Sequence, residues 1–178
     1  QRINVPDDRK VNPYAEDMER IEAETAKINK ALRHWRASDN VPFNFVWPIE
    51  GRVSGLFGRR RVFNGEERNP HSGIDIAAAT GTEIMAPANG IVTDTDDYFF
   101  NGNTVMIDHG QGLVTMFCHL DRIDVKAGQK IQQGEIIGTV GATGRVTGPH
   151  LHLGVSLNNA RVEPLLFFPE REGYPSVQ

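Results

Sequence analysis

Hydrophobic residues in the first 45 positions follow the spacing of an amphipathic helix. Asn12 and Pro13 are typical of a helix start, because asparagine caps a helix and proline fits its first turn. The apolar positions then recur every three or four residues, with Thr25 in one slot: Met18, Ile21, Ile28, Leu32 and Trp35. The pattern predicts a helix over about residues 13–36, after a loose polar lead-in over residues 1–12. Its short length favours packing on its own domain over a coiled-coil contact.

From Asn40 onwards the apolar residues form short β-branched runs. The runs at residues 91–93, 104–107, 114–118, 136–140 and 151–155 are typical of strands. Turn-forming pairs such as Asn89-Gly90 and Asn158-Asn159 lie between them. Many short strands predict a mainly β fold, an antiparallel β-sandwich or barrel-like domain. We therefore divide the chain into an N-terminal extension (residues 1–45), a β domain (46–170) and a C-terminal tail (171–178).

Composition narrows the class of function. The 178 residues are 39% hydrophobic and 24% charged, an ordinary globular balance, with a formal net charge of -4. Without a basic excess we expect no nucleic-acid binding, and Arg59-Arg60-Arg61 is interpreted as a solvated loop. The single cysteine, Cys118, excludes an intramolecular disulfide. No apolar run is long enough to span a membrane, and a start at Gln1 favours a processed product that leaves room for an upstream anchor.

Two histidines share one predicted strand. Residues two apart in a strand point to the same face, so His150 and His152 project together, opposite Leu151 and Leu153. Two imidazoles on one face can serve a single metal site, one as a ligand and one just outside it. Alone, such a pair is more typical of a solvated strand face.

A second cluster combines a histidine with a carboxylate. Gly73 and the run Ile74-Asp75-Ile76 indicate a loop entering a strand, with Asp75 facing away from both isoleucines. A carboxylate among apolar neighbours needs a partner, and imidazole and carboxylate are both zinc ligands. His71 and Asp75 are therefore candidate ligands. A capping or salt-bridged aspartate beside a surface histidine is the alternative.

The third cluster is His119 with its neighbour Cys118. In a regular strand their side chains face opposite ways, which argues against a cysteine–histidine nucleophile pair. We interpret Cys118 as a small core residue and expect His119 to face a cleft. His34 and His109 are interpreted as ordinary surface residues.

The three clusters together favour a catalytic metal site. Two histidines and one aspartate make a three-ligand set with a position left for water, which is the catalytic rather than the structural zinc pattern. Zinc lowers the pKa of a bound water to about 7. The remaining two histidines are then suited to moving protons.

Several motifs occur in order between about residues 47 and 168. They are Gly55-Leu56-Phe57-Gly58-Arg59, His71-Ser72-Gly73-Ile74-Asp75-Ile76, Ala86-Pro87-Ala88-Asn89-Gly90-Ile91-Val92, His119-Leu120, Val125-Lys126-Ala127-Gly128-Gln129-Lys130-Ile131, Gly141-Ala142-Thr143-Gly144 and Gly148-Pro149-His150-Leu151-His152. In this order they resemble the lysostaphin-type (LytM) family of zinc metallopeptidases, which degrade peptidoglycan. The resemblance covers about two-thirds of the chain.

The resemblance implies roles for five residues. It assigns one Zn²⁺ per chain to His71, Asp75 and His152. It assigns catalysis to His119 and His150, which polarise or deprotonate the zinc-bound water and stabilise the transition state. The implied reaction is hydrolysis of peptide cross-links in bacterial peptidoglycan, in the cell envelope, either periplasmic or secreted.

Departures from the family pattern leave these positions intact. Leu153-Gly154 stands where members often have an aromatic and an acidic residue, and Cys118 where alanine is common. Both make pocket shape and substrate preference harder to predict. Members that lack ligands act as activators, so a non-catalytic wall-binding or hydrolase-activating module is the alternative function.

Two further hypotheses concern other parts of the chain. The Asn89-Gly90 turn region is also similar to biotinyl or lipoyl carrier domains, but no lysine lies between Val92 and Val125 to be modified. The first 45 residues carry no chemistry of their own, so we hypothesise that they cover the cleft and inhibit the enzyme.

Overall fold

The computed structural model describes residues 1–175 and contains short strands with one α-helix, α1 (Met18–Leu32). The strands are β1 (Arg2–Ile3), β2 (Arg52–Gly55), β3 (Arg61–Phe63), β4 (Glu66–Arg68), β5 (Ile74–Ala77), β6 (Glu83–Met85), β7 (Gly90–Tyr98), β8 (Gly102–Gly110), β9 (Leu113–Ile123), β10 (Lys130–Ile131), β11 (Ile136–Val140), β12 (His150–Leu157) and β13 (Ala160–Val162). The predicted mainly β class with an N-terminal helix is confirmed.

The strands pair almost entirely antiparallel. The main sheet runs in the order β10-β7-β8-β9-β12-β5-β2, and β11 pairs both with the end of β9 and with β6. Buried residues from these strands share one core, among them Ile84 of β6, Phe117 of β9, Ile137 of β11 and Leu153 of β12. β5, β9 and β12 are neighbours, which brings the three histidine-bearing motifs side by side.

All five predicted strands exist, and β7 shows why most are longer than predicted. It extends to Tyr98 although Asp94 and Asp96 disfavour a strand. Lys27 of α1 lies over it, with its Nζ 2.9 Å from an Asp94 oxygen and 2.7 Å from an Asp96 oxygen. The helix thus supplies the counter-charge that lets an acidic strand continue.

The helix is shorter than predicted because its start differs. α1 begins at Met18, and Asn12 and Pro13 lie before it in a turn. The carboxylate of Asp17 accepts a hydrogen bond from the Tyr14 backbone N–H at 3.0 Å. That bond favours a 3₁₀ turn over Ala15–Asp17 ahead of the helix. The Asn12 cap was therefore a wrong prediction.

The helix packs on its own domain, as the sequence favoured. Ala31 and Leu32 at its end are buried against Met116 of β9. Met18 and Trp35, which the pattern assigned to the apolar face, are exposed. The helix ends at Leu32, so the helical spacing of apolar residues continues beyond the end of the helix.

Residues 1–12 are ordered and are not a loose lead-in. β1 pairs in parallel with β3, with Ile3 opposite Phe63. Val5 and Val11 then pack with Phe63 in a small buried cluster. Three scattered apolar residues formed no pattern that predicted this, because the partner is a distant hairpin.

His109 is buried, so its interpretation as a surface residue is wrong. Its Nδ1–H donates to the Asn89 carbonyl at 2.7 Å, and its Nε2 accepts from the Thr115 hydroxyl at 2.8 Å. Burial lowers the pKa of His109 from 6.5 to about 4, against smaller opposing effects of Asn89 and Asp108. His34, by contrast, keeps a side chain that is 48% exposed, as predicted.

We expect His109 to make the fold sensitive to acid. Its folded pKa lies below the unfolded value, so its stabilisation is complete above about pH 6.5 and is lost as pH falls towards 4. The full effect is about 3 kcal/mol. In urea unfolding with chelator present, His109→Gln should lose less stability than wild type between pH 7 and pH 4.5. Equal losses in the two proteins would contradict this.

The C-terminal segment folds back onto the start of the β domain. Tyr174 donates to the Gly51 carbonyl, and its ring lies 4.5 Å from that of Trp47. Arg171 pairs with Glu50 at 2.7 Å. Residues 176–178 of the predicted tail lie outside the described residues. The division of the chain near residues 45 and 170 stays a prediction.

Candidate metal centre and active-site cleft

Three ligand atoms from the predicted set converge on one point. His71 Nε2 lies 3.0 Å from His152 Nδ1 and 3.1 Å from Asp75 Oδ1. His152 Nδ1 and Asp75 Oδ1 are 2.9 Å apart. A zinc ion held tetrahedrally at about 2.0–2.1 Å separates its ligand atoms by roughly 3.3 Å. The observed triangle needs only small movements to fit such an ion.

Sheet register produces this triangle. Asp75 on β5 and His152 on β12 are direct cross-strand partners, so their side chains share a face. His71 lies in the loop before β5, where its Nδ1–H donates to the Leu56 carbonyl at 2.9 Å. That bond directs Nε2 of His71 at the other two ligands and fixes its tautomer.

The protonation states suit a metal. Although burial raises the pKa of the Asp75 carboxyl, the close approach of His152 and His71 outweighs it and holds that pKa well below its usual range. Burial lowers the pKa of His152 to about 4, against the opposing effect of Asp75. At neutral pH the site therefore offers the Asp75 carboxylate and the neutral His152 imidazole, which are the forms that bind metal. Three electron-pair donors this close together favour a cation between them.

His119 and His150 lie beside the triangle. Their rings are 4.9 Å apart, and His150 Nε2 is 3.8 Å from Asp75 Oδ1. Each Nδ1–H donates to a backbone carbonyl, from His119 to Thr143 at 2.8 Å and from His150 to Gly148 at 2.9 Å. Both Nε2 atoms are thereby left with a lone pair. Burial and the neighbouring His150 and His152 hold the pKa of His119 well below its usual value.

A β-bulge directs His119 to this face. Asn103 and Val105 of β8 pair with Leu120 and Phe117 of β9, so β9 carries one extra residue there. His119 has a φ of 67°, a left-handed conformation that costs about 1–3 kcal/mol and is over-represented at functional sites. Without the bulge, strand alternation would point its ring into the core.

The bulge corrects the prediction that Cys118 and His119 face opposite ways. Cys118 pairs with His152 across the sheet, and the His119 ring lies 6.1 Å from the His152 ring, so all three share one face. Cys118 is nevertheless buried, as predicted, and burial raises the pKa of its thiol to about 12. A thiol in that state is not a nucleophile at neutral pH.

Arg61 is a site residue that the sequence analysis missed. The Arg59-Arg60-Arg61 run predicts a solvated loop, yet Arg61 Nη2 donates to Asp75 Oδ2 at 2.6 Å and the Arg61 side chain is largely buried. It therefore holds the carboxylate oxygen that faces away from the triangle. The available signal was Asn64-Gly65, a strong hairpin turn that makes residues 61–63 a strand and puts Arg61 and Phe63 on one face.

Gly55 makes room for the carboxylate. It lies opposite Asp75 on β2, and a Cβ atom there would come 2.4 Å from Asp75 Oδ2. Any side chain at this position would displace the carboxylate from both Arg61 and the histidines.

An open cleft of roughly 290 Å³ leads to these groups. Asp75, His119 and His150 form part of its wall, and residues 145–149, in the segment before β12, form another part. Ile3 and Val5 of the N-terminal segment line it as well. The segment thus borders the cleft, but among the described residues it forms no hydrogen bond to His71, Asp75 or His152.

Comparison with known proteins gives a family match. The model of peptidase family M23 matches residues 69–164, which include all five candidate residues of the site.

Curated relatives are named for peptidoglycan cleavage. The chain is 42% identical over 118 residues to peptidoglycan DD-endopeptidase ShyA of Vibrio cholerae, covering 66% of this chain and 26% of that protein. It is 39% identical over 123 residues to DD-carboxypeptidase/endopeptidase Mpg of Neisseria meningitidis, covering 69% and 28%. The chain therefore spans about a quarter of the length of these relatives.

Solved structures agree with the fold. A putative peptidase M23 from Pseudomonas aeruginosa matches with a TM-score of 0.77 and 48% identity, covering 86% of this chain and 62% of that chain. A zinc-containing peptidase from Vibrio cholerae matches with a TM-score of 0.63 and 34% identity, covering 67% and 39%.

Proposed function

Because the chain belongs to peptidase family M23, we propose that it is a zinc-dependent endopeptidase that hydrolyses peptide cross-links of bacterial peptidoglycan. The observation that carries this proposal is the triangle of His71, Asp75 and His152 beside two more histidines in one cleft. The names of the relatives ShyA and Mpg support the substrate and the type of bond.

We assign one zinc ion to His71 Nε2, Asp75 Oδ1 and His152 Nδ1. When bound, zinc acts as a Lewis acid towards a carbonyl oxygen and lowers the pKa of a water to about 7. Arg61 keeps Asp75 Oδ1 directed at the triangle by binding Oδ2. The two imidazoles and one carboxylate leave room for a water and a substrate carbonyl, as in other catalytic zinc sites.

We assign proton transfer to His119 and His150. Their Nδ1–H groups are held by carbonyls, so the Nε2 atom of either histidine is free to accept the single proton that the attacking water gives up. The imidazolium formed in this way then donates that proton to the departing amine, or a hydrogen bond to the developing oxyanion. The bulge at His119 keeps this imidazole in place without movement of the backbone.

Digestion of purified cross-linked peptidoglycan tests the proposal. With zinc present, we expect cross-linked muropeptide dimers to become monomers of the mass that hydrolysis of one amide requires. Chelator should stop the reaction, and added zinc should restore it. Unchanged dimers in the presence of a zinc-loaded protein would instead favour a non-catalytic role on the same fold.

We further propose that the protein works in the cell envelope, periplasmic or secreted, because its proposed substrate is there. Within residues 1–175, no helix is both long enough and apolar enough to cross a membrane.

We also propose that the N-terminal segment restricts the cleft. Ile3 and Val5 line it, and β1 is fixed to the edge strand β3. A chain that begins at Val5 keeps the small cluster with Val11 but lacks β1. We expect several-fold lower KM for a cross-linked peptide at unchanged zinc content. An unchanged KM would argue against inhibition by this segment.

A further inference from the structure

A second arginine of the cleft, Arg145, has no role in the chemistry described so far. It lies in the segment between β11 and β12, and its backbone N–H donates to the Phe100 carbonyl at 2.8 Å. Its side chain lines the same cleft as Asp75, His119 and His150. The residue is therefore fixed at its backbone and shares the cleft with the candidate catalytic groups.

Aromatic rings rather than acids hold its guanidinium group. The Cζ atom lies 4.7 Å from the ring centroid of Phe63 and 4.5 Å from that of Phe100. Among the described residues, the guanidinium has one polar contact, a 3.5 Å approach of Nη1 to the Lys10 carbonyl. Within residues 1–175, no aspartate or glutamate forms an ion pair with Arg145.

Neighbouring arginines are already paired. Arg61 binds Asp75 at 2.6 Å, and Arg68 binds Glu66 at 2.6 Å. Burial, with some repulsion from Arg68 and Arg61, lowers the pKa of Arg145 to about 10, so it still carries its charge at neutral pH. A largely buried cation without an anion is costly. A planar guanidinium held between two rings is also well oriented to bind a carboxylate in a bidentate way.

We propose that Arg145 is the centre of a carboxylate-binding subsite that reads the substrate. The proposal rests on the proposed peptidase function. The substrates it implies are peptides with a free carboxylate close to the scissile amide, on the residue that supplies the amide nitrogen. Asp75 is the one acid among the described residues that line the cleft, and its carboxylate already pairs with Arg61 and contacts His71 and His152, so no unpaired acid lines the subsite.

The chemistry of peptide-bond hydrolysis fits this class. A carboxypeptidase releases a residue whose carboxylate is adjacent to the scissile amide nitrogen. A cross-link endopeptidase meets the same arrangement when the amine of the bond comes from a centre that also bears a carboxylate. One subsite would therefore serve both activities named for the relative Mpg.

The test uses a pair of synthetic cross-linked dimers that differ at one group. One bears a free carboxylate beside the scissile amide nitrogen, and the other a carboxamide. A charge-assisted hydrogen bond corresponds to about 10–100-fold in affinity. We expect zinc-loaded wild type to cleave the acid with a kcat/KM at least about 10-fold above that for the amide. Arg145→Gln should reduce this preference to about 2-fold or less, mainly through activity on the acid.

Arg161→Gln is the matched control. Arg161 is also largely buried and forms no ion pair with an acid of the described chain, but it packs on Met116 outside the cleft. Its variant should keep the full preference for the acid. Arg145→Lys, which keeps charge and bulk but loses the planar fork, should retain an intermediate preference. It covers the case in which Arg145→Gln does not fold.

Calorimetric binding of the two cleavage products, one with the carboxylate and one with the carboxamide, provides a readout without turnover. Equal cleavage and equal binding of both forms by wild type would overturn the subsite but leave the peptidase intact. A preference that survives in Arg145→Gln would overturn the role of Arg145. Absence of cleavage of either dimer would count against the proposed function, and the binding preference would then decide the subsite by itself.

Discussion

His152→Ala should abolish both zinc binding and peptidoglycan cleavage. The substitution removes one of three ligand atoms and leaves His71 and Asp75 as a two-ligand site. It also takes from Asp75 the 2.9 Å hydrogen-bonding partner on its Oδ1 side. We expect less than about one-tenth of the wild-type zinc content after dialysis and a fall in kcat/KM of about 1,000-fold or more. Metal analysis by mass spectrometry and dimer cleavage measure the two effects.

His34→Ala is the matched control for this experiment. His34 lies just past the end of α1, outside the lining of the cleft, with a half-exposed side chain. It should keep zinc and activity. Full zinc content in His152→Ala would contradict the ligand assignment directly, whatever happened to activity.

His150→Gln should separate metal binding from turnover. His150 does not belong to the triangle, so the variant should bind zinc like wild type. It loses the Nε2 atom that takes the proton, and general acid–base catalysis is typically worth about 100–10,000-fold in rate. We expect a fall in kcat of this size with a modest change in KM. His119→Gln should behave similarly, because its Nε2 is oriented in the same way.

Comparison of the variants decides the division of roles. Equal loss of zinc in His150→Gln and His152→Ala would show that both histidines are ligands. Wild-type turnover in His150→Gln and in His119→Gln would remove both from the proton-transfer step. Circular dichroism of each variant at matched concentration checks that the β fold is intact.

Sequence patterns predicted the parts of the fold that depend on alternation along one strand. Side chains alternate between the two faces of a strand with a two-residue period. Asp75 therefore points away from Ile74 and Ile76, and His150 and His152 point to the same face. The pairing register of β5 and β12 then brings these side chains together, because Asp75 and His152 are direct cross-strand partners. The family resemblance implies the same residues without any information about strand register.

The failed predictions concern contacts between distant segments. The strand formed by residues 2–3 exists because β3 offers it an edge, and the long β7 exists because Lys27 lies over its aspartates. Burial of His109 depends on Asn89 and Thr115, which are not its neighbours in a helical or strand pattern. No local rule reports such partners.

Two parts of the site cannot be predicted from the alternation of side chains along a strand. The bulge at His119 turns its side chain to the face opposite the one that a regular strand predicts. The bulge is marked by the left-handed backbone of His119, which cannot be read from the sequence. The role of Arg61 was not predicted for a different reason, because a run of three arginines is usually exposed to solvent. The Asn64-Gly65 turn would have predicted its strand, but not its contact with Asp75.

Titration of the metal-free protein with zinc is the most direct test of the central claim. Cleavage of a cross-linked dimer is measured after each addition, for wild type and for Asp75→Asn. We expect wild-type activity to rise linearly and to reach a plateau at one zinc per chain, while Asp75→Asn stays inactive over the same range. Activity without zinc, a plateau at two ions per chain, or full activity in Asp75→Asn would contradict a single catalytic zinc held by His71, Asp75 and His152.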